Sequence, residues 1–279
     1  MSWLFEQDDV EDKGKGEIAA ILEDLDAEAH SIARPRAAVA ADALEDSRPW
    51  RKSHREKWDR PLDAQTLQVG AHCVRFKERF GAGHNGEINK TGSRIWDAAL
   101  VLSKFVEADL ATSDGWRTRT VIELGAGLGV PSLSAAMLGA KRVVATDMSE
   151  NIPLLDENIR LNFDAAERLR IEAQELSWDD AINSPLAEVQ WDVILCSDLL
   201  FSLESISMLI GAIRALSKEG TVVYSCMEHR FDGCSEFYSG MRAAGFDVHR
   251  IPQNEMHPVY RGEAFHLYRH QVSLSHTEE

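Results

Sequence analysis

The run V-I-E-L-G-A-G-L-G-V-P, from Val121 to Pro131, constrains this chain more than any other stretch. Two β-branched residues lead into Glu123, glycines follow at 125, 127 and 129 around Ala126, and a helical pattern opens directly behind them. The run reads as a strand, a tight turn and the start of a helix. Glycine has no Cβ, so the backbone can turn sharply there and lie against a ligand. The helix N-terminus behind the turn offers unpaired amide donors. The plainer reading is a tight strand-to-helix connection and nothing more.

The spacing separates two kinds of nucleotide site. A dinucleotide fingerprint requires G-x-G-x-x-G; here its third glycine position is Val130, and the glycine comes one residue early at Gly129. Glu123 stands two residues before the first glycine, where a carboxylate would repel a pyrophosphate and welcome an ammonium. The ligand implied is a nucleoside carrying positive charge, and S-adenosylmethionine fits that description. The next apolar run, Arg142 to Thr146, ends at Asp147, eighteen residues after Gly129. A carboxylate at a second strand tip can accept hydrogen bonds from ribose hydroxyls; alternatively, Asp147 caps the helix that follows.

Strand and helix patterns alternate through the rest of the chain. Thr66 to Phe80 alternates as a β-hairpin, and a glycine-rich turn follows from Gly81. Ile95, Ala98, Ala99, Leu102, Phe105 and Val106 form a helical stripe. Further strands are expected at Leu169–Leu176, Asp192–Cys196, Thr221–Met227, Phe246–Ile251 and Ala264–Val272. Helices are expected at Ile152–Phe163, at Ile206–Leu216 and through Phe237 and Met241 to Gly245. This alternation predicts an α/β fold with a parallel sheet covered on both faces, and the closing hairpin makes the last strand antiparallel.

The 279 residues suffice for one large core plus an appendage. Residues 1 to 46 carry thirteen Asp/Glu against four Lys/Arg, with a short apolar helical repeat at Ile18, Ile21, Leu22 and Leu25. Arg48 to Arg60 turns basic, six cations against two acids, and contains Trp50 and Trp58. Residues 1–65 are therefore expected to be a flexible extension and 66–279 the folded domain. Cys73, Cys196, Cys226 and Cys234 are scattered, which indicates reduced thiols rather than a disulfide or zinc framework, and no metal site is expected. No apolar run is long enough to span a bilayer, and the acidic start is unlike a secretory signal. A net charge of −16 disfavours charge-driven nucleic-acid binding and suits a basic protein surface.

Taken in order, T-G-S-R-I-W-D-A-A-L-V-L-S-K-F, E-L-G-A-G-L-G, A-T-D, L-S-W and D-V-I-L-C-S-D-L-L-F resemble methyltransferase family 16, the seven-β-strand protein methyltransferases. The resemblance covers roughly Thr66 to His270. It implies a Rossmann-like class I methyltransferase fold, with a seven-stranded, mostly parallel sheet, helices on both faces and an antiparallel last strand. It implies S-adenosylmethionine as cofactor, held by Trp96, Gly125, Ala126, Gly127, Asp147, Trp178 and Ser197, to which the reading of the glycine turn adds Glu123. The family's D-x-x-Y stretch near the target nitrogen falls on Asp198 to Phe201, where Phe201 replaces the usual tyrosine. Asp198 and Phe201 are therefore the expected catalytic pair, Asp198 orienting a lysine amine and Phe201 walling its stem. Plain structural readings stand beside these: Trp96 and Phe201 as core, Asp198 as a helix cap. Glu228, His229 and Tyr260 are expected in loops near the site.

The resemblance also implies a protein substrate, such as a chaperone or an ATPase, met by a monomeric cytosolic or nuclear enzyme. Two alternatives remain: a non-catalytic adaptor on the same fold, and methylation of histidine or a small molecule. The lack of N-P-P-[YF] after the fourth strand disfavours adenine or amide chemistry.

Overall fold

The computed structural model describes residues 65–79, 91–110, 117–229 and 233–273. The acidic and basic N-terminal segments, with the helical repeat at Ile18–Leu25, lie outside the described residues, as does most of the glycine-rich turn from Gly81.

Strands β1 (Gln65–Val69) and β2 (His72–Phe76) form the expected hairpin, with Val69 opposite His72. Leu67, Val69, Val74 and Phe76 alternate onto one buried face, as a half-covered ribbon requires. The hairpin is tied to helix α3 (Ile152–Asn162) by Asn162, whose Oδ1 accepts from Arg75 N, and by Asn158, whose Oδ1 accepts from Lys77 N, each at 2.8 Å.

The main sheet contains β3 (Thr120–Leu124), β4 (Arg142–Asp147), β5 (Ile171–Glu175), β6 (Val193–Ser197), β7 (Val222–Glu228), β8 (Phe246–Arg250) and β9 (Phe265–Val272). Its order is β5-β4-β3-β6-β7-β9-β8; the first five are parallel, and β9 runs antiparallel to both neighbours. All five residues of β6 are buried, the continuous apolar run expected of a strand covered on both faces.

Side-chain alternation divides two cores. Val121, Val143, Val193 and Leu195 face one way with helices α1 (Asp97–Leu110) and α2 (Val130–Met137). Ile122, Leu124, Val144, Ile194 and Cys196 face the other way with Trp191 and helices α4 (Leu203–Leu216) and α5 (Gly233–Ala243). Each such buried aliphatic side chain contributes roughly 1.5–3 kcal/mol.

From β3 the chain winds outward through β4 and β5, then returns across to β6. The crevice between the C-terminal ends of β3 and β6 is thus a topological switch point, where open α/β sheets bind ligands.

Candidate active site

A cavity of about 550 Å³ opens at that switch point, within the range of small-molecule sites. The turn after β3 forms its floor. Gly125 has φ +55°, and a Cβ there would stand 2.6 Å from Leu199 Cδ2 and 3.2 Å from Trp178. A side chain would meet both a left-handed backbone and the cavity wall. Gly129, at φ +76°, is the N-cap of α2 and has no side chain with which to satisfy the helix amides.

Glu123 supplies that missing cap. Its Oε2 accepts from Ser132 N at 2.9 Å and from Ser132 Oγ at 2.6 Å, at the third residue of α2. Complete burial pushes its carboxyl up to a pKa of about 8, against the lowering effect of the Ser132 hydrogen bonds, and nearby Asp147 adds to the rise. The expectation that Glu123 meets the ligand's ammonium is therefore corrected: it lies behind the glycine turn, outside the cavity lining, with its proton retained at neutral pH. The side chain is on the helix side of the turn, so it stabilises the floor without touching what rests on it.

Asp147, at the tip of β4, lines the cavity. Its Oδ2 accepts from Gly127 N at 2.7 Å, and its Oδ1 accepts from Met148 N at 2.8 Å and Asn151 Nδ2 at 2.7 Å. A carboxylate has about four acceptor directions, so one remains on Oδ2. Asp147 both shapes the glycine turn and keeps capacity for a hydroxyl.

The opposite wall comes from β6 and the segment after β5. Asp198 follows β6 at φ 57°, the only non-glycine residue at positive φ among those described. Short polar side chains tolerate this conformation best, and observed strain of this kind concentrates at functional sites. The conformation is held by Asp198 N donating to Cys226 O at 2.9 Å and by Glu228 N donating to Asp198 Oδ1 at 3.4 Å. Beyond it, Phe201 is 69% exposed and its ring lies 6.0 Å from that of Trp178. Trp96 stands at the start of α1, its indole N–H donating to Thr91 O at 3.0 Å.

The structure thus gathers Trp96, Gly125, Ala126, Gly127, Asp147, Trp178, Ser197, Asp198 and Phe201 around one cavity, and leaves out Glu123. It also adds residues that were given no role from the sequence. Arg94 supplies the cavity's one guanidinium among the described residues, with Glu78 as the carboxylate that acts on its charge, and the carboxylates of Asp147, Glu150, Asp179 and Asp198 also line the cavity. Arg94 belongs to the T-G-S-R stretch just before Trp96, so position was its only sequence signal. Asn151 shares Asp147 Oδ1 with the Met148 amide. Such a cavity is acidic, aromatic-walled and apolar beneath, which suits a cationic nucleoside and an incoming amine.

The sheet order and the cavity at its switch point are those of the Rossmann-like class I methyltransferase fold. The solved T. thermophilus 16S rRNA N2 G1207 methyltransferase, in complex with AdoMet and guanosine, shares this fold with a TM-score of 0.51 and 17% identity, over 76% of this chain and 51% of that chain. A family model described as lysine methyltransferase matches residues 83–244, more than half the chain. The chain belongs to that lysine methyltransferase family. Among curated relatives, the protein-lysine methyltransferase METTL21E of Bos taurus is 34% identical over 176 residues, which is 61% of this chain and 60% of that protein's length. The chain therefore matches less than two thirds of that relative. The protein N-lysine methyltransferase METTL21A of Danio rerio is 29% identical, over 66% of this chain and 79% of its own length.

Proposed function

We propose that this protein transfers a methyl group from S-adenosylmethionine to a lysine side chain of a protein substrate. The observation that carries the reading is the cavity at the β3–β6 switch point, with four carboxylates around a floor that admits no Cβ at Gly125. Those residues fit the cofactor. Trp178 offers an aromatic face to adenine, Asp147 Oδ2 an acceptor to the ribose, and Arg94 a partner for the amino-acid carboxylate. When bound, the cofactor would supply a methyl carbon already activated by a sulfonium, with a neutral thioether as the leaving group that keeps the carbon–sulfur bond electrons.

The chain's own contribution is alignment of the attacking nitrogen with the methyl–sulfur bond, which in a well-oriented reaction can supply about 7–11 kcal/mol of the barrier. A lysine amine, with an ordinary pKa of ~10.4, must arrive without its proton. Partial desolvation against Phe201 and the neighbouring sulfonium charge both favour the neutral amine. Asp198, fixed by its two backbone contacts, accepts a hydrogen bond from the amine and orients its lone pair. The proton leaves to solvent, since a carboxylate is too weak a base to hold it. Phe201 lacks a hydroxyl, so its part is that of an apolar wall for the lysine stem.

The substrate we favour is a chaperone or ATPase in the cytosol, met by a monomer. The family resemblance supports the class, and the net charge of −16 favours approach to a lysine-bearing surface. The test couples calorimetry of S-adenosylmethionine binding with transfer of radiolabelled methyl into a cytosolic extract and residue-level mass spectrometry. Asp198→Ala is expected to keep cofactor affinity within about threefold and to lose at least about a hundredfold in turnover. Unchanged turnover removes Asp198 from the reaction, and label found only in RNA or small molecules overturns the substrate class.

A further inference from the structure

Away from the cavity wall, the far end of the sheet brings together three soft donors. His229 directly follows β7, and its amide donates to Ala264 O at 2.7 Å, continuing the pairing with β9. In that register Met227 lies opposite His266, so His229 and His266 are diagonal neighbours on one face of an antiparallel pair. Their rings stack with centroids 4.9 Å apart and 5° between planes. Helix α5 covers this face: Tyr238 stacks on Tyr268 at 3.6 Å, and its hydroxyl donates to His266 O at 3.3 Å. One helical turn before Tyr238, on the same side of α5, is Cys234. The three potential ligand atoms, one from each side chain, lie within 4.8 Å of one another, with Cys234 buried and both histidines half-buried.

We infer that His229, Cys234 and His266 form a binding site for a thiophilic divalent cation, zinc above all, with a fourth position open to water. Two imidazoles and one thiolate are the donor set borderline-soft metals prefer over magnesium or calcium. Around a tetrahedron with bonds of about 2.0–2.3 Å, the donors would sit roughly 3.3–3.6 Å apart. Side-chain torsions would close the remaining ångström or so and turn one imidazole out of the parallel stack, since each ring nitrogen ligates in its ring plane. Binding replaces the thiol proton, which passes to solvent. A metal there would cross-link β7, β9 and α5, one residue from Glu228, whose amide holds Asp198. Scattered cysteines concealed the site from sequence inspection, because Cys234 and His266 are brought together only by the reversal of β9.

The test uses the whole chain after chelation, titrated with zinc chloride in a calorimeter and with cobalt chloride in an absorption spectrometer. One equivalent of zinc, a thiolate-to-cobalt charge-transfer band and a rise in Tm with added zinc are expected. Cys234→Ser and His266→Ala should each weaken zinc binding at least about tenfold, while Cys73→Ser on the exposed hairpin should leave it unchanged. The cobalt band reads the thiolate in the unaltered chain, so a poorly folded variant does not blunt the test. Absence of stoichiometric binding, absence of that band, its loss in Cys73→Ser, or undiminished affinity in Cys234→Ser and His266→Ala each overturns the site. No step of this test depends on methyl transfer, so its outcome is separate from that of the proposed activity.

Discussion

The two ends of the sheet are built differently. At the β3–β4 end, polar side chains act on backbone: Asp147 takes the Gly127 and Met148 amides, and Glu123 takes that of Ser132. The chain there is bent to leave room for a ligand. At the β7–β9–β8 end, side chains act on each other: Tyr238 of α5 stacks against Tyr268 and His270, Phe237 meets His270 edge-on, and His270 Nε2 meets Ser225 Oγ at 2.8 Å. The first end trades packing for a cavity, and the second packs tightly and supports the wall that carries Asp198. Stability and ligand binding should therefore respond separately to changes at the two ends.

The largest effect on stability is expected from Phe237→Ala. Phe237 is fully buried, with its ring 5.3 Å from Tyr238 and 6.0 Å from His270. Truncating a buried phenylalanine costs about 3–5 kcal/mol. Denaturant melts should show that loss while S-adenosylmethionine affinity, measured on the folded fraction, stays within about threefold. An equal loss of affinity would erase the distinction between the two ends.

The ends should also titrate in opposite senses. Burial, aided by Arg242 on α5 and His249 on β8, holds His270 at a pKa of about 3. The unfolded chain takes up that proton near the ordinary ~6.5, so His270 contributes stability above it that is lost as pH falls from about 6.5 towards 3. Glu123 behaves in reverse. Facing Ser132, Asp147 and Cys196, it keeps its proton up to about 8, so its contribution is fully present below the ordinary ~4.3 and is lost as pH rises from there to 8. Each amounts to a few kcal/mol at most. Melts across pH should show His270→Gln flattening the acid limb alone and Glu123→Gln flattening the rise-side loss alone.

Gly125→Ala should cost less stability and more function. The left-handed backbone at Gly125 carries about 1–2 kcal/mol for a residue with a Cβ, and the new methyl must displace Leu199 or Trp178 from the cavity wall. Calorimetry should show at least about a tenfold loss of cofactor affinity for a modest drop in Tm. Retained affinity would mean that the turn is only a connection.

How far the sequence could be read follows the same division. Strand and helix order, the antiparallel β9 and the residues at strand tips were all legible, because period-2 and period-3.6 patterns and glycine spacing are local properties. Glu123 was misread because spacing to a glycine does not reveal on which side of the turn a carboxylate falls; only Ser132, nine residues on, decides it. The left-handed Asp198 was hidden because its conformation is imposed by Cys226 and Glu228 on the next strand. The histidine and aromatic stack was hidden because β9 returns between β7 and β8, joining residues that no periodicity connects.

The smallest expected effect on stability sharpens the role of the D-x-x-F stretch. Phe201 is 69% exposed with Trp178 at 6.0 Å as its one aromatic neighbour among the described residues, so Phe201→Ala should change stability by no more than about 0.5 kcal/mol. A lysine over an aromatic face is worth about 0.5–1 kcal/mol at an exposed site; if Phe201 faces the substrate lysine, KM for a protein substrate should rise roughly two- to fivefold with cofactor affinity unaltered. Phe201→Tyr separates wall from hydroxyl. A wall predicts that restoring the family's usual tyrosine changes kcat little, since the ring face is kept and the hydroxyl adds no needed contact. A marked gain in kcat would instead mean that a hydroxyl at position 201 assists Asp198 in holding the amine.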